Sequence, residues 1–362
     1  MPTLELFTCP SNASASHAVR APGGYEWWHF IAEDPASDRR IVVSFFDGFP
    51  FHPGYVGCYQ GYVSHSTRCR PPVPAEFPAV QFAFYEQDRV VARFLCAPSA
   101  RELVATENST ELLIGQSRMK VDSSGAISLE IRGTPWSSGT WGPRRGEQRT
   151  LSAEVTFTPR WSVSSPEQSF GSEAGAAGKQ HWLVTHPACD VRGAVHVYGQ
   201  DERPPIDMEF SGRGYHDHYF GTAPLAGEMN RWMSATLFDD ESTTVLRLED
   251  EEGEAAIEGQ VIQFTSGREQ ILDAGKMRIA WPRGVFGVGV PQEIEFGEDT
   301  QLSNPRVLCA SPFDTHVLYD AQWQGKSRTA LCEFAKPGRL RSPIQRVVAQ
   351  QWVNQANDHV TR

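Results

Sequence analysis

The sequence predicts an all-β protein, and three observations carry that prediction. Apolar and polar residues alternate with a period of two in segment after segment, the pattern of strands with one buried face. Turn formers are abundant, with 31 Gly and 25 Pro, and they fall between the alternating segments. Helical periodicity is scarce outside the C-terminal tail.

The elements follow in chain order. "GGYEWWHF" (23–30) reads as a strand. Its alternation puts Tyr25, Trp27 and His29 on one face and Glu26, Trp28 and Phe30 on the other. Two adjacent Trp cannot share a face, so one of them is expected to line a cavity. "AVQFAFYE" (79–86), "AISLEIRG" (126–133) and "LSAEVTFTP" (151–159) alternate cleanly. "SSPEQSFGSEAGAAGK" (164–179) has no period and reads as a long loop or linker. "KQHWLVTHP" (179–187) sets a His beside a Trp. "TTVLRLED" (243–250) is another half-buried strand, and "EDEEGE" (249–254) a solvated turn after it. "SPIQRVVAQQWVNQ" (342–355) is the one helical candidate, with Ser342 as cap and Pro343 at the first helical position.

A chain of 362 residues exceeds what one core usually supports. Two consecutive antiparallel β-domains, barrels or sandwiches, are therefore expected, over 20–200 and 201–355, with a short C-terminal helix. The halves share no sequence repeat.

Composition excludes several function classes. The net charge is -11 and no basic run occurs, which argues against nucleic acid. Seven Cys stand far apart with no CxxC, so a zinc ribbon or redox pair is unsupported and free thiols in a reducing compartment are expected. The N-terminus lacks a signal-peptide pattern, and no stretch reaches the roughly 20 apolar residues of a membrane helix. The expectation is a cytoplasmic protein, with peripheral membrane contact compatible with it. GxSxG, Walker and HExxH patterns are absent, and "GVFGVG" (284–289) lacks dinucleotide-binding spacing.

The densest chemistry lies in "GRGYHDHYFG" (212–221). As a strand it points Tyr215, Asp217 and Tyr219 one way and His216, His218 and Phe220 the other. The His face offers two metal ligands, and His181, His186 or His196 would have to add a third. The Tyr/Asp face offers an acid among rings, where desolvation favours a protonated carboxyl. Asp217 could equally bond a backbone turn or pair with Arg213.

Together, "GGYEWWHF…IVVSFFDGFPFHPGY", "HW" at 181–182 and "GRGYHDHYFG" resemble the carotenoid 1,2-hydratase family, also called hydroxyneurosporene synthase, which shares a lipocalin-like architecture with AttH-type proteins. The likeness runs in order from about Gly23 to at least Leu225. It implies two lipocalin-like β-domains with an apolar site at or near their junction. It also implies acid-initiated hydration of the terminal alkene of an acyclic carotenoid, with no cofactor and no metal. By position the catalytic residues would be Asp217 as proton donor, with Tyr215, His181 and Trp182. Tyr25, Trp27, Trp28, His29 and Tyr219 would line the substrate cavity. Where the family continues with Asn-Trp-Gly, this chain has Tyr219-Phe220-Gly221. The substrate would be a hydrophobic polyene or isoprenoid. Cyclisation of a polyene, terpenoid or polyketide on the same fold, and non-catalytic binding of an apolar ligand, are the alternatives. A third is a metal-dependent oxygenase using His216 and His218.

Overall fold

A computed structural model describes residues 14–65, 68–107, 109–136, 149–160, 168–170, 180–199, 204–250, 258–266, 268–272, 278–279, 289–296 and 300–357. All of "GVFGVG" but Gly289, the acidic stretch beyond Asp250 and most of 164–179 fall outside those residues. The described chain is nearly all β and forms two curled antiparallel sheets, as the alternation predicts.

Two compact units divide it. The first comprises Met1–Leu225 and Arg341–Arg362, the second Ala226–Leu340. In the first unit, β1 (Tyr25–Asp34) and β2 (Arg39–Asp47) form a hairpin. Helix α1 (Pro53–Ser64) precedes β3 (Ala79–Glu86) and β4 (Arg89–Cys96). Next come β5 (Leu103–Val104), β6 (Glu111–Ile114), β7 (Ser117–Val121), β8 (Ile127–Gly133) and β9 (Arg149–Pro159). The short β10 (Gln168–Phe170) leads to the long pair β11 (Gln180–Gly199) and β12 (Ile206–Gly221). The sheet order is β4-β3-β2-β1-β12-β11-β9-β8-β7-β6-β5, with β10 on β11.

The sequence boundary at 200/201 differs from this division. β12 hydrogen-bonds both β11 and β1, from Gln180↔Gly221 to Val197↔Ile206 on one side, with register shifts between Val184 and Cys189, and from Tyr25↔Gly221 on the other. A cut at 200 would sever that hairpin. The tail helix, predicted over 342–355, is α3 (Pro343–Asn357); it belongs to the first unit, where it packs on α1 and β4. No composition signal marks this return.

The first sheet curls far enough to bring its β4 edge against β8. A Cβ on Gly133 of β8 would lie 2.8 Å from the Phe94 ring of β4. Those strands are seven steps apart in the sheet, roughly 30 Å if it were flat. Inside the curl one cluster holds Trp28, Phe30, Phe45, Phe82, Phe94, Leu129 and Phe157, all buried. These are the inward members of the alternating segments.

Helix α1 was not expected, because three Gly (54, 57 and 61) and no apolar stripe disguise it. Its start is legible afterwards: His52 Nδ1 accepts the N–H groups of Gly54 and Tyr55, and Pro53 opens the first turn. Burial holds the His52 imidazole down at about 4, so it stays neutral and able to accept.

α2 (Leu225–Glu228) spans the boundary between the units, and the second unit then contains β13 (Arg231–Phe238), β14 (Ser242–Asp250), β15 (Glu258–Thr265), β16 (Arg268–Leu272), β17 (Arg278–Ile279), β18 (Glu293–Phe296), β19 (Thr300–Ala310), β20 (Asp314–Trp323) and β21 (Lys326–Ala335). Its order is β16-β15-β14-β13-β21-β20-β19-β18-β17. Met233, Leu246, Val317, Tyr319 and Phe334 belong to its separate core. The six described cysteines form no disulfide.

Candidate active site

The site is built where β1, β12 and β11 lie side by side. Antiparallel pairing puts partners on the same face. His29 pairs with Asp217, which pairs with Val184; Trp27 pairs with Tyr219, which pairs with Trp182. One face of three strands therefore collects Tyr25, Trp27, His29, Tyr215, Asp217, Tyr219 and Trp182. It is the face turned away from the inner cluster.

On that face the Tyr215 hydroxyl donates to Asp217 Oδ2 at 2.7 Å, and Trp182 Nε1 donates to the same oxygen at 2.8 Å. Tyr215 reaches it from two residues away on its own strand, Trp182 diagonally from the neighbouring one. Asp217, Tyr215 and Trp182 are each 1% exposed. Arg213, the guanidinium the sequence offered to Asp217, binds Glu33 instead, with Nη2 at 2.7 Å from Oε1.

Aromatic rings continue from this carboxyl along the face. The Trp182 and Tyr219 ring centroids are 6.1 Å apart, Tyr219 and Trp27 4.6 Å, and Trp27 and Tyr25 5.1 Å. Phe46 and Phe51 pack on Trp27 from outside the row. His29 is held beside it, with Nδ1 at 2.8 Å from Ser44 Oγ. Seven of the nine residues expected at the site thus share one face.

The other two do not. His181 pairs with Phe220 and stacks on its ring at 4.6 Å, on the opposite side of the sheet from Asp217. A period-2 strand cannot aim both His181 and Trp182 the same way. Trp28 points into the inner cluster, stacks on His218 at 4.8 Å, and donates Nε1–H to the Ser14 carbonyl. It is packing, not cavity wall. The residue that shares the Trp182 face on the upstream side is Gln180, 4% exposed, which the sequence reading passed over. Strand parity alone would have found it.

The glycines that bracket the block have a steric purpose. A Cβ on Gly212 would stand 2.1 Å from the Glu33 carbonyl oxygen, and one on Gly221 would stand 2.4 Å from Gln180 Oε1. At Gly212 the β1 backbone leaves no room for a side chain, whereas at Gly221 a side chain would have to displace Gln180 and the Tyr25 ring.

The opposite face carries a buried polar network. Glu26 Oε1 accepts the His17 N–H at 2.7 Å and lies 3.0 Å from His17 Nδ1 and 2.9 Å from His218 Nε2. Ser16 Oγ donates to Oε2 at 3.3 Å. Burial penalises the Glu26 charge, but these hydrogen bonds and the nearby His218 outweigh it and hold the carboxyl down at about 2. Asp47, the cross-strand partner of Glu26, goes the other way. Burial and the Glu26 charge push it up to about 6 against the pull of Arg20. His216 sits between Ser14 Oγ (3.1 Å) and the His29 carbonyl (2.9 Å). Burial, then the His186 neighbour, hold its imidazole well below the ordinary range.

This network redraws the metal candidates. His216 and His218 have different partners and do not converge. His196 pairs with Asp207 at 2.9 Å. Among the described residues, the group that could hold a metal is His17, Glu26 and His218, whose ligand atoms lie within 4.8 Å of one another. Those atoms already hydrogen-bond one another, and the Glu26 carboxylate has a donor on each oxygen. Its chemistry suits an anchor for residues 14–18 better than an open coordination site.

Comparison with known proteins agrees with this architecture. No protein-family profile matches the chain. A curated relative, hydroxyneurosporene dehydrogenase of Chlorobaculum tepidum, is 26% identical over 93% of this chain and 89% of its own length. The crystal structure of a candidate AttH from Nitrosomonas europaea superposes with a TM-score of 0.59 at 14% identity, over 91% of this chain and 97% of that one. A structure of CghA with Sch210972 gives a TM-score of 0.47 at 9% identity, over 87% of this chain and 89% of that one. The chain is thus AttH-like in fold, and the likeness to hydroxyneurosporene proteins first read from its motifs extends over nearly the whole sequence.

Proposed function

We propose that the chain is an acid–base enzyme that adds water across a C=C bond of an acyclic carotenoid or related isoprenoid. The observation that carries this reading is the Asp217 carboxyl, buried among rings with two donors on one oxygen. Tyr215 and Trp182 both donate to Oδ2, so the proton of a neutral Asp217 sits on Oδ1. That proton moves to one alkene carbon, the π bond breaks, and a tertiary carbocation forms at the other. Water then attacks the cation and returns a proton to the carboxylate. One C–H and one C–O bond are made, and the acid is restored.

Each group on the face has a task in this scheme. Tyr215 and Trp182 stabilise the carboxylate left after proton transfer, when charge develops on Asp217. Trp27, Tyr219 and Trp182 present π faces that favour the cation by about 0.5–2 kcal/mol each. His29, fixed by Ser44, and Gln180 are the polar groups on the same face suited to orient the water. Residues that bear no charge keep water from quenching the cation at the wrong carbon.

The relative from Chlorobaculum tepidum bears the name of a dehydrogenase, which favours a second reading, removal of two hydrogens from a similar substrate. That reaction needs an electron acceptor and gives Asp217 a base's role. Incubation with lycopene, neurosporene and a short prenyl alkene in oxygen-18 water separates the readings. Hydration yields a product heavier by one labelled water. A product lighter by two hydrogens overturns hydration in favour of dehydrogenation, and an unlabelled isomer overturns it in favour of cyclisation.

A further inference from the structure

Seven large apolar side chains stand exposed among the described residues, and four of them lie on α1 and α3: Val63, Ile344, Val347 and Val348. Ile344, Val347 and Val348 have the i, i+3, i+4 spacing of one helical face. They are 71%, 62% and 39% exposed, while Ala349 and Val353 on the other side of α3 are buried. The two helices are joined. Arg346 donates to Gln60 Oε1 at 2.6 Å and its side chain lies over Gly57. Val63 follows at the end of the same α1.

Charge distinguishes this surface from the rest of the chain. The protein carries a net charge of -11, yet no Asp or Glu occurs in 53–64 or in 334–357. The basic residues nearest Ile344 in the sequence are Arg341 and Arg346, with Arg341 exposed. An acid-free apolar face edged by arginine suits the headgroup boundary of an anionic bilayer, where apolar side chains insert and guanidinium groups meet phosphate. Among the described residues no helix is long and apolar enough to cross a membrane, so the contact is one of lying on the surface.

We propose that the α1–α3 face, through Ile344, Val347, Val348 and Val63, docks the protein on an anionic lipid bilayer. This deepens the reading of an isoprenoid substrate, because such a substrate dissolves in the bilayer rather than in water. The docking itself is argued from exposure and charge, and its test uses no substrate.

The test is co-sedimentation of the full chain with vesicles of phosphatidylcholine containing about 30% phosphatidylglycerol, beside pure phosphatidylcholine. The wild type is expected to partition onto the anionic vesicles and to weaken with added salt. Ile344→Asp/Val347→Asp should lower that partition by about tenfold or more, and Arg341→Glu should remove the preference for anionic lipid. Val104→Asp, an exposed apolar position on β5, should bind as wild type does. Near-ultraviolet circular dichroism of each variant confirms that the fold is kept. Failure of the wild type to bind, or equal binding by the double variant, overturns the proposal. So does a wild-type dimer that the double variant dissociates, since the face would then be a self-association surface. Activity on detergent-dispersed substrate reports on the hydratase reading separately, so the two can fail independently.

Discussion

Trp182 Nε1 donates to Asp217 Oδ2 at 2.8 Å, from a neighbouring strand and one pair off direct register. The contact is the diagonal of an antiparallel pair, a distance that a large side chain such as an indole can span. With Tyr215 on the same oxygen, it fixes the orientation of the carboxyl on a face made of rings.

Removing either donor tests whether that orientation serves chemistry. Tyr215→Phe and Trp182→Phe each delete one hydrogen bond and keep most of the ring. If the bonds stabilise charge that develops on Asp217, each variant should lose about ten- to hundredfold in kcat with a smaller change in KM. Steady-state kinetics on the hydrated substrate decide it. Losses confined to KM would mean that the two rings only bind substrate.

His181 and Gln180 make a contrasting pair. His181→Ala removes a ring stacked on Phe220 on the far face and should leave kcat within about threefold of wild type. Gln180→Ala acts on the Asp217 face and should cost more. The reverse order, measured as kcat for both variants, would place the reactive face on the wrong side of the sheet.

Strand parity explains how much of this was legible in the sequence. The alternating segments and the division of 212–221 into a Tyr/Asp face and a His face follow from backbone geometry alone, and the pairings bear them out. His181 and Trp28 fall on the other face from Asp217, because a resemblance transfers the His181-Trp182 dipeptide without its parity and because adjacent rings such as Trp27 and Trp28 alternate sides. α1 was missed because its helix is specified by a histidine cap and by packing, with Tyr55 bonding the Gly24 carbonyl, rather than by an apolar period. The Glu26 network was invisible because it joins Ser16 and His17, which precede β1 and belong to no periodic segment, to His218 from far along the chain.

The two buried carboxyls on the inner face should respond to pH with opposite signs. Glu26 is held down at about 2 from an ordinary 4.5, so the unfolded state binds more protons between those values. Its contribution, on the order of 3 kcal/mol, is present above pH 4.5 and fades as pH falls toward 2. Asp47 is pushed up to about 6 from 3.8, so the folded state binds more protons, and stability declines as pH rises from 3.8 to 6. Urea denaturation should show Glu26→Gln destabilised at pH 7, with the gap to wild type closing below pH 4.5. Asp47→Asn should remove the decline between pH 4 and 6. A Glu26→Gln gap that is independent of pH would show that its carboxylate has no special partners.

The proton donor is tested most directly by the wild type and Asp217→Asn, run in heavy water on the same polyene. Asn keeps the size of the side chain and an acceptor for Tyr215 and Trp182, but it has no acidic proton. The wild type should deliver one deuterium to the carbon beside the new C–O bond, and Asp217→Asn should turn over about 10²–10⁴-fold more slowly while retaining its circular dichroism and substrate binding. A variant that hydrates at near the wild-type rate, with deuterium placed as before, would contradict Asp217 as the acid.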